Sequence, residues 1–177
     1  MIQLVPFQES DFEELIGWIH NEEILTNWAG GLFRFPLSVE SLAWYARDTN
    51  IKNDSDAFVY KVVDDLGNSI GHISLGSISW KNKSARVTRV LTGDIAGRGK
   101  GCCQGMIKAI LKIAFDELNL HRVSLGVYQN NVPATRCYEK NGFVTEGVQR
   151  DILWYKDAWW SMIEMSILEK EWRLLNA

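Results

Sequence analysis

Apolar positions recur along the chain with two periods, about 2 and about 3.6 residues, and the changes of period mark the elements. Gln3–Phe7 reads as a short strand. Ser10-Asp-Phe-Glu13 has the form of a capping box, and Phe12, Leu15, Ile16 and Ile19 follow at helical spacing. A second helix covers Glu22–Trp28 and stops at Gly30-Gly31, and Ser38 caps a third running to about Asn50. Ala57–Val63, the turn Asp64–Asn68 and Ile70–Trp80 form a hairpin, with Arg86–Leu91 as a fourth strand. Cys102–Leu118 is the strongest helix, with Met106, Ile107, Ile110, Ile113 and Ala114 on one face. Arg122–Tyr128 returns to strand, and Pro133–Lys140 is a short helix with proline in its first turn and Gly142 beyond its end. Phe143–Tyr155 and Ala158–Ile167 form a terminal hairpin, followed by a short helix. No repeat or linker interrupts this order, which predicts a single mixed α/β domain of the α+β class over residues 1–177.

Composition sharpens the picture modestly. The 177 residues are 46% apolar and 23% charged, ordinary for a globule with a real core. No window approaches the roughly 18 apolar residues of a membrane span. The opening MIQLVPFQESDFEE fits neither a secretory signal nor an Arg-rich transit peptide. Three cysteines, two of them adjacent (Cys102, Cys103), argue against a disulfide framework. The expectation is therefore a cytoplasmic protein with reduced thiols that pack as small apolar groups. A net charge of −3 argues against general nucleic-acid binding. The charge is uneven, however. Residues 1–60 hold ten Asp/Glu and three Lys/Arg (Arg34, Arg47, Lys52), and the rest holds sixteen Lys/Arg and twelve Asp/Glu. Either the first helices merely solvate an acidic face, or the first part admits a cationic ligand and the second holds an anionic one.

The segment from Thr92 to Gly101 joins a strand to the longest helix and contains Gly97, Gly99 and Gly101. Alternate glycines let backbone amides converge, the helix N-terminus adds partial positive charge, and Arg98 and Lys100 add formal charge. A phosphate or pyrophosphate suits such a loop. It is not a P-loop, because Asp94 and Gly101 stand where Gly and Ser/Thr are required. It is not a dinucleotide fingerprint either, because Cys102 and Gln104 stand where the third glycine belongs.

A second constellation lies about thirty residues downstream: Asn131-Val-Pro-Ala134-Thr-Arg-Cys-Tyr138-Glu-Lys140-Asn-Gly142-Phe143. Together the two segments resemble the GNAT superfamily of acetyl-CoA-dependent N-acetyltransferases. Arg98-Gly99-Lys100-Gly101-Cys102-Cys103 matches its Gln/Arg-x-x-Gly-x-Gly/Ala signature except at Cys103, and the downstream segment matches Asn-x-x-Ala-x-x-x-Tyr-x-Lys-x-Gly-Phe. Phe115–Val123 and Met165–Trp172 are similar to the RimJ/RimL-like branch that acetylates ribosomal-protein N-termini.

The resemblance implies a mostly antiparallel twisted sheet whose fourth and fifth strands splay apart, with acetyl-CoA between them. The main chain of Leu91, Thr92 and Gly93 would hold the pantetheine arm, and amides from Arg98, Gly99, Lys100, Gly101, Cys102, Cys103 and Gln104 the diphosphate. Asn131 would reach the cofactor from the far side, and Tyr138 would give a proton to the departing thiolate. By the same resemblance residues 8–50 form the acceptor side, 85–145 the acetyl-CoA core and 143–168 the C-terminal hairpin. The acceptor would be a primary amine: a peptide N-terminus, a polyamine, an aminoglycoside-like amine or a small metabolite. A non-catalytic acyl-CoA-binding module on the same fold is the alternative. Relatives often carry an acid in the fourth strand, where this chain has Arg86 and Arg89, so the general base stays open among Glu22, Glu23, Glu146, Asp151 or a water chain. His20, His72 and His121 read as structural groups, and no metal-ligand spacing occurs. Trp28 and Trp44 serve either as packing or as a cation–π wall for the amine, and Trp159-Trp160 either as hairpin packing or as a homodimer patch.

Overall fold

The period-2 runs become seven strands: β1 (Gln3–Pro6), β2 (Phe58–Val63), β3 (Ser69–Ser79), β4 (Ser84–Thr92), β5 (Arg122–Tyr128), β6 (Val144–Tyr155) and β7 (Ala158–Leu168). Among the described residues six α-helices accompany them: α1 (Phe12–Trp18), α2 (Glu22–Ala29), α3 (Val39–Tyr45), α4 (Cys102–Lys112), α5 (Val132–Lys140) and α6 (Glu169–Leu175). This computed structural model describes residues 2–93 and 101–176. The strands form one sheet in the order β1-β2-β3-β4-β5-β7-β6, antiparallel except for β4 beside β5. The α+β class and the single-domain architecture expected from the sequence are those observed.

Alternation along the strands sends neighbouring residues to opposite faces. On β2, Phe58, Tyr60 and Val62 join one core with Met106, Ile107, Ile110 and Leu111 of α4. Val59 joins the other, with Leu15 of α1, Leu25 and Trp28 of α2, and Leu42 of α3. The sheet is therefore covered by α4 on one face and by α1–α3 on the other. The terminal hairpin β6–β7 turns through Lys156 and Asp157, both with left-handed backbone (φ 46° and 61°), the mirror-image turn that matches strand twist.

Two features open the middle of the sheet. The parallel pairing of β4 with β5 runs only from Ser84↔Arg122 to Arg86↔Ser124 and then ends. Beyond that point the Arg86 guanidinium crosses under β5 to a bidentate pair with Glu164 on β7, at 2.7 and 2.9 Å. Gly126 makes the crossing feasible, since a Cβ there would collide with Arg86 Nη2 and Met162 Sδ. On its other side β4 carries a bulge. The register with β3 slips between Ser74↔Thr88 and His72↔Leu91, and Arg89 takes up the extra length with φ 52°.

Local departures from the sequence expectations have identifiable causes. The expected capping box at Ser10 is displaced: Gln8 N–H donates to Asp11 Oδ2 at 2.9 Å, so a short 3₁₀ turn over Glu9–Asp11 precedes α1. Ser38 does cap α3, accepting from Ser41 N–H at 3.3 Å, but α3 ends at Tyr45 rather than near Asn50. There Asp48 and Asn50 adopt left-handed backbone, and the Ser55 hydroxyl donates to Asp48 C=O while accepting from Ile51 N–H. The long helix expected over Cys102–Leu118 is α-helical to Lys112 and closes in a wider π turn over Ile113–Glu117. The expectation of three reduced thiols is corrected. Cys103 in the first turn of α4 and Cys137 in α5 form a disulfide, with Cα atoms 6.4 Å apart, leaving Cys102 free. The sequence hid this pairing because only the fold brings α5 against the start of α4.

Candidate active site

The splay of β4 and β5 creates a cleft of about 1160 Å³ through the sheet. Its walls are residues 86–92 of β4, 125–128 of β5, the first turn of α4, and the α5 side of the molecule. Because β4 has no strand partner on that side past Arg86 among the described residues, its outer backbone edge is free to pair with an extended guest.

Gly101 caps α4 with left-handed backbone (φ 78°), and no described residue lies within 4 Å of where a Cβ would stand. The first N–H groups of a helix have no intrahelical acceptor, and this first turn contains no acidic residue. Gly101, Cys102, Cys103 and Gln104 all line the cleft. Opposite them, Asn131 lines the cleft while its side-chain oxygen caps α5 by accepting from Ala134 N–H at 3.3 Å. The same helix presents Tyr138, whose ring packs 6.1 Å from Phe143 and whose hydroxyl pKa burial pushes above the usual phenol value. Leu91 and Thr92 line the cleft as well. Gly93 does not. It is buried against the Trp18 indole, and its N–H donates to Ile70 C=O at 2.8 Å. Arg98, Gly99 and Lys100 lie outside the described residues.

On the α2 side the cleft meets a second cavity of about 480 Å³, and Thr88 and Arg89 line both. Trp28 is buried and donates its indole N–H to Arg89 C=O at 3.0 Å, which fixes the bulge. Trp44 is exposed and lines the second cavity. His72 is buried among Phe7, Trp28 and Tyr45, and burial, with the Arg89 charge beside it, lowers its pKa to about 3. It lines neither cavity and serves as a neutral structural group. Of the carboxylates named as candidate bases, Glu146 is tied up by Arg122 (2.7 and 2.6 Å) and Ser166 (2.8 Å), which hold its pKa down at about 2. Asp151 and Glu22 do not reach the cleft wall, whereas Glu23 does.

The GNAT acetyltransferase domain family matches residues 2–144 of this sequence. The chain belongs to the GNAT acetyltransferases. The enzyme is 29% identical over 154 residues to the SPbeta prophage-derived uncharacterized N-acetyltransferase YokL of Bacillus subtilis, spanning 87% of this chain and 83% of that one. It is 34% identical over 88 residues, 50% of each chain, to the spermidine N(1)-acetyltransferase of Vibrio cholerae. The crystal structure of the Vibrio cholerae spermidine N-acetyltransferase in complex with CoA and spermine superposes with a TM-score of 0.81 at 25% identity, over 97% of this chain and 98% of that one.

This GNAT acetyltransferase is thus an acetyl-CoA-dependent N-acetyltransferase, and its cleft suits that donor. A free strand edge can pair with pantetheine amides, and a helix start at Gly101 with no side-chain cap can receive a diphosphate. Among the described residues no three His, Cys, Asp or Glu side chains cluster as a metal site. Two residues of the site were not legible in advance. Cys137 sits inside the Asn131–Phe143 motif without a spacing cue to Cys103, and Arg89 enters the site through a bulge that strict alternation does not encode.

Proposed function

We propose that the enzyme transfers acetyl from acetyl-CoA to a primary amine by direct attack in a ternary complex held in the β4–β5 cleft. The observation that carries this reading is the loss of β4–β5 pairing after Arg86↔Ser124, which leaves a free strand edge on the cleft that Tyr138 also lines. Leu91 and Thr92 supply backbone groups to the pantetheine arm, whereas Gly93, buried off the cleft with its N–H bonded to Ile70, does not. Gly101, Cys102, Cys103 and Gln104 supply helix-start amides to the diphosphate, with Arg98, Gly99 and Lys100 completing that loop. Asn131 contributes from the α5 side. Acyl transfer requires positioning, an oxyanion donor and proton management. A backbone N–H near Leu91 serves the oxyanion, and the Tyr138 hydroxyl, kept protonated by burial, serves the leaving thiolate. Glu23, the carboxylate on the cleft wall, takes the ammonium proton directly or through water.

Residues 8–50 form the acceptor side in this reading, 85–145 the donor core and 143–168 the hairpin that closes it. The relatives span several acceptors. One is named for spermidine, another for aminoglycosides at 22% identity, and the name of a Bacillus subtilis protein, YdaF, proposes ribosomal N-acetylation at 28% identity. That last likeness, with Phe115–Val123 and Met165–Trp172, supports a RimJ/RimL-like branch. Trp159-Trp160 on the terminal hairpin offers a patch for a second copy, with Trp154 and Trp159 both exposed and their rings tilted against each other 5.0 Å apart, and the cytoplasm suits the donor. Thiol release from acetyl-CoA against polyamines, aminoglycosides, amino metabolites and peptides tests the reading. Release with at least one class is expected. Tight acetyl-CoA binding with no release for any amine would reduce the protein to a binding module.

A further inference from the structure

Arg89 is the exception among the arginines that the fold holds in place. Arg86 is paired bidentately with Glu164, Arg122 with Glu146, and Arg173 with Asp116. Arg89 reaches no carboxylate among the described residues, and its Nε is buried without a hydrogen-bond partner. Its guanidinium lies over the Tyr45 ring, 5.3 Å from the centroid, and Tyr45 in turn meets His72 Nε2 at 3.2 Å. Arg89 is half-buried, and even partial burial of a guanidinium without a counter-charge costs free energy that a facing ring offsets only in part. The backbone is also held out of the common conformation to place it there, with φ 52° at the bulge and its carbonyl pinned by Trp28.

The position matters as much as the missing partner. Arg89 stands where the main cleft and the second cavity meet, beside the Thr88 and Ser74 hydroxyls, which bond each other at 2.7 Å. It is two residues from Leu91, the stretch assigned above to the reacting carbonyl. A planar fork of donors is the natural complement of a carboxylate. We propose that Arg89 is a specificity-determining residue that binds a carboxylate of the acceptor, so that the amine acetylated here belongs to a carboxylate-bearing molecule. The inference rests on the acetyltransferase reading and narrows its acceptor. Two sources share this chemistry: the carboxylate of a free amino acid, and the acidic side chain of a peptide's first residue. It runs against a purely cationic acceptor. The acidic surplus of residues 1–60 does not contradict it: Glu23 lines the main cleft and Asp48 and Asp56 the second cavity, yet Arg89 pairs with none of them among the described residues.

Matched amine pairs test it, with thiol release as the readout. Free amino acids are compared with their decarboxylated amines (phenylalanine with phenethylamine, for example), and Asp- or Glu-initiated peptides with Asn- or Gln-initiated ones. The wild-type enzyme is expected to show at least about tenfold higher kcat/KM for the carboxylate-bearing member of one kind of pair. Which kind responds identifies the source. In Arg89→Met that ratio should collapse toward one, mainly through KM, while Arg89→Lys retains part of it. A merely structural Arg89 would lower both members equally and leave the ratio intact. Equal or better turnover of the carboxylate-free member in every pair overturns the inference while leaving the acetyltransferase standing. Silence with all amines overturns both. The wild-type comparison decides even if Arg89→Met fails to fold.

Discussion

At the scale of single residues, burial settles what each polar group can do. His72 is a histidine only in composition: its ring is enclosed by Phe7, Trp28 and Tyr45 and its pKa lies near 3 instead of 6.5. A depressed folded-state pKa means the unfolded chain takes up the proton first as pH falls. Its contribution is therefore complete above about pH 6.5 and is lost progressively toward pH 3. The unfolding free energy should drop by up to about 1.4 kcal/mol per pH unit in that window from this group alone. Denaturant melts at pH 7 and 5 should show a shallower pH slope for His72→Phe than for the wild type. An unchanged slope would mean that folded His72 takes up its proton as readily as in the unfolded chain. Tyr138 and Asn131 were legible in the sequence because a motif fixes their spacing, and both line the cleft. Arg89 was legible only as an arginine of the fourth strand, where relatives often carry an acid. Its place depends on a one-residue slip against β3, which no pattern of apolar and polar positions records.

At the scale of elements, the period changes located the seven strands and the α-helices of the described residues, and the errors fell at the ends, where side chains compete for backbone groups. α1 starts where Asp11 captures Gln8 N–H, and α3 stops where Ser55 captures the backbone of residues 48 and 51. The start of α4 carries the donor-side prediction. Gly101→Asp places a carboxylate at the helix start, and also strains a left-handed residue, whereas Gly101→Asn carries similar strain without the charge. Calorimetry should show acetyl-CoA binding weakened far more in the Asp variant than in the Asn variant. Equal losses in the two would remove the diphosphate from this position. The Cys103–Cys137 link ties the same turn to α5. A crosslink of this span is worth about 2–4 kcal/mol. Reductant should therefore lower the wild type's unfolding free energy by that amount, leave Cys137→Ser insensitive, and not depend on Cys102. A wild type indifferent to reductant would show that the two thiols do not bond in solution.

At the scale of the whole molecule, one sheet is parted at its centre, and the parting has a visible cause on each side. The Arg86–Glu164 pair passes through the space left at Gly126, and the bulge at Arg89 lies on the opposite edge of β4. The sequence foretold a splay through family resemblance, but the wedge that produces it joins residues 78 positions apart and shows only in the folded chain. Everything proposed for the chemistry depends on Tyr138 facing that opening. A free thiol has a pKa near 8.5, so the departing thiolate is a tolerable leaving group and acid assistance falls at the low end of its usual range. The most direct measurement is therefore turnover of Tyr138→Phe with the best amine, beside its affinity for acetyl-CoA. Turnover should fall by roughly 10–10³-fold while affinity changes by less than about threefold, because the ring remains and only the hydroxyl is lost. Turnover within about twofold of the wild type would contradict the account and leave the thiolate to depart without a dedicated acid.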